Sequence, residues 1–328
     1  MNSKILETRR QISKTRISDL SKRIDVDPGP NVCVYATGSV GRGESSDHSD
    51  LDLFIVGGND EQGNRLLPRL DEICLKASLI KATRDQNLPE FSGDGEYLVH
   101  YTVGELVKTL GQPSDDSSNT FTARLLLLLE STPLIGEQFY GNAIGQVIRA
   151  YWRDFDDHKN DFAPTFLAND ILRLWRTFCV NYEARTKSEP DHKKIKRRLK
   201  NYKLKHSRLL TCFSALAYLL SVFSKNRTVT PGDAQEMTRM TPSQRLEWLL
   251  TQGYSEPVRR LLDCYFSFLT FTAQSESSLV AVFSDPAEAK KLLAEANQFG
   301  DSMFHVLEAI GRPSGASERN RFFRMLTV

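Results

Sequence analysis

A change of hydrophobic periodicity near residue 140 divides this chain of 328 residues. Before it, short β-rich runs alternate with helical patterns. Beyond it only helical spacing recurs, over 142–157, 164–186, 191–225, 242–251, 256–272, 284–310 and 316–326. The expected class is therefore α+β: residues 1–140 form a mixed sheet flanked by helices, and residues 141–328 form an all-helical domain. In the first part a basic amphipathic helix spans 4–24, and Pro28-Gly29-Pro30 stops it. Strands are expected at 31–36 and 50–56, with a Gly/Ser-rich turn between them. A helix follows at 61–76, then strands at 79–82 and 97–103. The polar stretch 111–119 reads as an exposed loop. The five leucines Leu125 to Leu129 predict a helix buried all round.

Composition excludes several classes. Hydrophobic residues at 40% and charged residues at 26% are globular usage, not that of a disordered or fibrous chain. No apolar run reaches the roughly 18 residues of a membrane span. The nearest, 209–223, contains Thr211 and Ser214 and reads as a buried helix. The 43 basic and 41 acidic side chains give no global preference for polyanions. Five scattered cysteines without a C-x-x-C pair argue against a disulfide framework or a zinc site and for a reducing compartment. The N-terminus lacks a secretory apolar core, and a cytoplasmic location is expected.

The chemistry lies in residues 37–52, Thr-Gly-Ser-Val-Gly-Arg-Gly-Glu-Ser-Ser-Asp-His-Ser-Asp-Leu-Asp. Gly38, Ser39, Gly41 and Gly43 leave a strand, so the backbone can approach an anion and offer it N–H groups. Eleven residues after Ser39 comes Asp50, then Asp52. At i and i+2 on a strand the two carboxylates share a face. Their repulsion is relieved by a cation between them. Hard oxygen ligands suit Mg²⁺, which also takes phosphate oxygens.

Gly38-Ser39 followed by Asp50-x-Asp52 on the next strand resembles the signature of the polymerase-β-like nucleotidyltransferase superfamily. The fuller text, Gly38 to Glu44 with Ser49 to Leu53, is similar to the nucleotidyltransferase domain of PII-protein uridylyltransferases and their relatives. The motif covers about sixteen residues, and the order of elements extends the likeness over roughly the first 110. Residues 169–176 and 201–208 look like a helical segment that accompanies this domain in some uncharacterised bacterial relatives. The resemblance implies an N-terminal nucleotidyltransferase domain. Its Asp50 and Asp52 would bind two Mg²⁺ ions (Mn²⁺ as the alternative), and its Gly38, Ser39 and Gly41 would hold an NTP such as ATP. It also implies a third carboxylate on a later strand. Glu96 is the first choice and Asp94 the second. Glu96 shares a strand face with Leu98 and His100, and a solvent-exposed strand end is its competing role. His100 reads as a packing histidine in preference to a site residue. Arg42 suits either a bidentate phosphate contact or an ion pair with Glu44 or Asp47.

Residues 192–206 carry eight Lys or Arg (193, 194, 196, 197, 198, 200, 203, 205) and no acid. Such a run strains a helix by i,i+4 repulsion and points to a polyanion, either the triphosphate or RNA. Within the resemblance, Lys203 and Arg208 would hold the β- and γ-phosphates. Asp170 and Arg173 suit an i,i+3 ion pair, and the tryptophans suit packing. The expected function is Mg-dependent transfer of an NMP to the hydroxyl of RNA or a tRNA end, a protein or a nucleotide. The alternative is a non-catalytic nucleotide- or RNA-binding regulator, such as half of a toxin-antitoxin or defence pair.

Overall fold

The computed structural model describes residues 3–89, 91, 98–186, 191–312 and 320–328. They form a mixed α+β protein with one four-stranded sheet. It divides into two compact units, Leu6–Arg153 and Asp154–Val328, the latter together with Met1–Ile5.

The first unit holds the sheet. Helix α1 (Ser3–Ser21) leads to β1 (Val32–Thr37), a single helical turn α2 (Gly38–Gly41) and β2 (Asp52–Gly57). Then come α3 (Arg69–Asp85), β3 (His100–Thr102), α4 (Val103–Lys108), α5 (Ser114–Ser117), α6 (Thr120–Glu130), β4 (Thr132–Ile135) and α7 (Glu137–Tyr151). The spatial order is β3-β2-β1-β4. β1 runs antiparallel to β2 and β4, whereas β2 and β3 are parallel. Parallel neighbours need a crossover, and α3 supplies it.

Alternation along β1 and β2 builds two different faces. Val32, Val34, Ala36, Leu53 and Ile55 pack with Leu20 of α1 and Leu75, Leu79 and Ala82 of α3. On the other face Tyr35 stacks on Phe54 at 5.6 Å between ring centroids, and Phe54 on Tyr101 at 6.3 Å. The five leucines of α6 are all buried.

Several expected boundaries move. Residues 79–82 belong to α3 instead of a strand. Their Leu-Ile-Lys-Ala text fits a strand locally, but Leu75, Leu79 and Ala82 continue one helical face. The helix begins at Arg69, because turn-forming residues and an isolated bridge from Asn59 to Arg65 occupy the start of the expected span. The third strand is only three residues long, ending where Thr102 caps α4 through Glu105. The expected domain boundary at residue 140 falls inside α7, whose Phe139, Ile144, Val147 and Ile148 are buried within the first unit.

The second unit is helical throughout its described residues. Helices α8 (Thr165–Thr186) and α9 (Asp191–Lys203) precede a π-helical turn, Leu204–Arg208, which passes into α10 (Leu209–Asn226). Then follow α11 (Pro231–Arg239), α12 (Pro242–Thr251), α13 (Ser255–Phe271), α14 (Glu276–Ser284), α15 (Pro286–Gly311) and α16 (Arg321–Thr327). The span Lys193–Asn226 is long and apolar enough to cross a membrane, but 72% of its apolar window is buried inside the protein. Asp170 and Arg173 approach to 3.9 Å.

His206, in the π turn, is 2% exposed and stacks on Phe268 at 4.4 Å and Phe299 at 4.9 Å. Burial pushes its pKa down to about 4 from an ordinary 6.5. The neutral ring is therefore favoured by folding. This contribution is complete above pH 6.5 and is lost as pH falls toward 4. A shift of that size corresponds to about 3 kcal/mol. Urea unfolding from pH 7 to pH 4 should show this loss, and His206→Phe should remove the part due to this ring.

Candidate functional site

The site forms at the corner where β1 gives way to α2 and β2 begins. Antiparallel pairing puts Thr37 opposite Asp52, so the glycine turn and the carboxylate meet at one end of the sheet. Gly38 adopts φ +64, a conformation open to glycine at little cost. A Cβ added to Gly38 would stand 2.8 Å from Asp52 Oδ2, so the carboxylate fills the space a side chain would need. Gly38→Ala is therefore expected to cost about 1–3 kcal/mol in strain and to displace Asp52. Denaturant titration measures the first effect. Gly41 is required for a different reason. A Cβ there would lie 2.6 Å from the Ala36 carbonyl oxygen and closer still to that of Glu130.

Asp52 is the first residue of β2 and is partly exposed; Asp50 precedes the strand and is exposed. The expected strand began at 50. It starts two residues later because β1 ends at Thr37, leaving no strand backbone to pair with residues 50 and 51. Leu51, between the two carboxylates, is anchored in the core.

Helix α1 holds the loop leading to Asp50. Arg9 Nη1 donates to the Glu44 carbonyl at 2.8 Å, and the Ser45 N–H donates to Ser13 Oγ at 3.0 Å. Arg16 donates to the carbonyls of Ser49 at 3.0 Å and Ser46 at 3.2 Å. Burial lowers the Arg16 pKa, with the charges of Asp47 and Asp50 opposing that shift. The basic face of α1 thus serves the loop carbonyls.

Arg42 is 6% exposed. It donates from Nε to Glu44 at 2.8 Å and from Nη1 to Glu130 Oε2 at 3.0 Å. Of its two expected roles, the structure gives the ion pair with Glu44. Glu130 was not anticipated. Its Oε1 accepts the Gly38 N–H at 3.1 Å, so one carboxylate ties the turn to the end of α6. An acid closing a run of five leucines is the sequence signal that marks it, because a buried carboxylate must find donors.

Glu96 and Asp94, the two choices for a third carboxylate, lie outside the described residues. Leu98 packs in the α1/α3 core, and His100 pairs there with Ile55. His100 Nδ1 lies 3.2 Å from Glu72 Oε2. Burial lowers the His100 pKa and Glu72 opposes that shift, which fits the packing role. Lys203 and Arg208 belong to the second unit, where the Arg208 guanidinium lies 5.1 Å from the centroid of the Phe178 ring.

No protein-family model matches the chain, and no curated protein matches it.

Among the described residues, no three His, Cys, Asp or Glu side chains come together as a metal-binding group. Asp50 stands outside β2, so the strand face expected to hold both carboxylates carries Asp52 and not Asp50. Mg²⁺ takes one or two protein carboxylates and completes its shell with water and phosphate oxygens. Among the described residues, the buried hydroxyls of Thr37, which lies opposite Asp52, and of Ser39 find no hydrogen-bond partner. A hard carboxylate oxygen at Asp52 is the ligand type that Mg²⁺ takes.

Proposed function

We propose that the first unit is a nucleotidyltransferase domain of the polymerase-β-like kind, moving an NMP from an NTP to an acceptor hydroxyl. The reading rests on the closeness of the Asp52 carboxylate to Gly38 at the β1–β2 corner, where it occupies the space a Gly38 side chain would need. A glycine turn that would admit an anion, beside a carboxylate that would bind a cation, supports the reading, because phosphoryl-group transfer needs both. Asp50 and Asp52 would hold Mg²⁺. The Ser39 hydroxyl would donate to a phosphate oxygen, and Gly38 would let the phosphates come close. A bond forms between the acceptor oxygen and the α-phosphorus as the α–β bridging bond breaks; pyrophosphate departs and the hydroxyl proton passes to solvent. Bound Mg²⁺ would supply charge stabilisation on the phosphate oxygens. The protein's remaining task is to position the reactants.

A second reading is favoured by one specific observation. The Gly38 N–H and Arg42, two of the expected phosphate donors, are both bonded to Glu130. Donors held by Glu130 are not offered to a phosphate, which suits a regulator that binds RNA elsewhere on its surface and performs no transfer.

Incubation with Mg²⁺ and each α-labelled NTP, with total RNA or lysate protein as acceptor, separates the two. Nucleotidyl transfer predicts label in one acceptor class, dependent on Asp50 and Asp52. RNA binding without transfer in any mixture would favour the regulator.

A further inference from the structure

We propose that the outward face of α9 is a binding surface for the phosphate backbone of RNA. The inference deepens the preceding section by naming the acceptor, and rests on that reading only for the fate of the bound RNA.

The inner face of α9 is fixed. Leu199 and Tyr202 are buried, and Tyr202 sits 5.6 Å from Phe268, 5.6 Å from Phe271 and 5.7 Å from Phe283. With the inner face anchored, the basic residues fall on the remaining surface. Lys193, Lys196, Arg198, Lys200 and Lys203 are exposed. Lys196 lies 3.2 Å from Glu276, both side chains being more than 60% exposed. A pair that open to water is screened and worth little, about 0–1 kcal/mol. The neighbouring Lys205 reaches an amide, Asn297 Oδ1, at 2.6 Å. Within 193–208 the helix carries no acid to offset i,i+4 repulsion.

The chemistry of the face selects its partner. Protein interfaces concentrate aromatic and apolar groups at their centre and are depleted of lysine. This face is mainly lysine and arginine, and its only aromatic residue in 193–205, Tyr202, points inward. Base stacking therefore plays no part on this face. Cations without exposed rings suit sequence-independent contact with backbone phosphates. Each such contact with a single strand contributes a salt-dependence slope of about 0.7.

The test is fluorescence anisotropy of a labelled single-stranded RNA with the full chain, from about 50 to 200 mM KCl. The triple variant Lys193→Gln/Lys196→Gln/Lys200→Gln keeps Leu199, Tyr202 and His206, so circular dichroism and Tm should be unchanged. Losing three phosphate contacts should lower the salt slope by about 2 and weaken binding about 100-fold near 0.1 M salt. RNA binding by a wild-type chain that transfers no label from any NTP would overturn the enzymatic reading and leave this proposal standing. RNA binding equal in the triple variant and the wild type, or absent at the lowest salt, would overturn this proposal. Displacement of the RNA by poly-glutamate at equal charge concentration would overturn it in favour of an acidic protein partner.

Discussion

Asp52→Ala should reduce nucleotidyl transfer by about three orders of magnitude, with little change in stability. The size follows from the several kcal/mol of charge stabilisation that a metal ligand secures, at 1.36 kcal/mol per tenfold. The fold should tolerate the change because Asp52 is partly exposed and its place in the ladder is made by backbone pairing with Thr37. Asp52→Asn should behave alike, since an amide keeps the shape and loses the charge. Initial rates with an α-labelled NTP, read beside an unfolding curve for the same protein, separate loss of chemistry from loss of structure. A variant with near-normal rates would remove Asp52 from the chemistry.

The largest expected loss of stability lies away from this corner. Arg124 and Asp115 are both 0% exposed and paired, with Nη1 3.0 Å from Oδ1. The guanidinium also donates to the Leu106 carbonyl at 2.9 Å and the Tyr151 hydroxyl at 3.0 Å. Asp115 accepts from Thr120 at 2.8 Å and Thr109 at 3.1 Å. Removing one partner leaves a buried charge uncompensated. Asp115→Ala should therefore cost about 3–5 kcal/mol. Adding Arg124→Met should recover part of that loss, because the remaining charge is then gone. Urea midpoints of both singles and the double variant give the coupling. Simple additivity would contradict a shared buried pair.

That pair also shows where sequence reading stops. Residues 111–119 have the composition of an exposed loop, and most of them are exposed, yet Asp115 is fully buried. Nothing local reveals it, since its partner Arg124 lies nine residues away on the buried side of α6. The helical patterns of the second unit were legible because long amphipathic segments repeat one face many times. α11 and α14, nine residues each, offered too few turns. β4 carries no legible sequence signal, because four residues with a proline offer little alternation and its place is set by pairing with β1. At the site, the nearness of Gly38 to Asp52 comes from the β1–β2 register, which sets Thr37 opposite Asp52. Glu130 did not, since its role depends on β4 and α6 bringing residue 130 back to residue 38. Arg42 was legible as one of two alternatives, and only its buried surroundings decide between them.

The central claim is that metal and nucleotide meet at the Asp52 corner. Electron paramagnetic resonance of Mn²⁺ with the full chain and a non-hydrolysable NTP tests it most directly. The account predicts an immobilised Mn²⁺ signal that requires the nucleotide and disappears in folded Asp52→Ala. The same bound signal in that variant, or free Mn²⁺ with every NTP analogue, would contradict it.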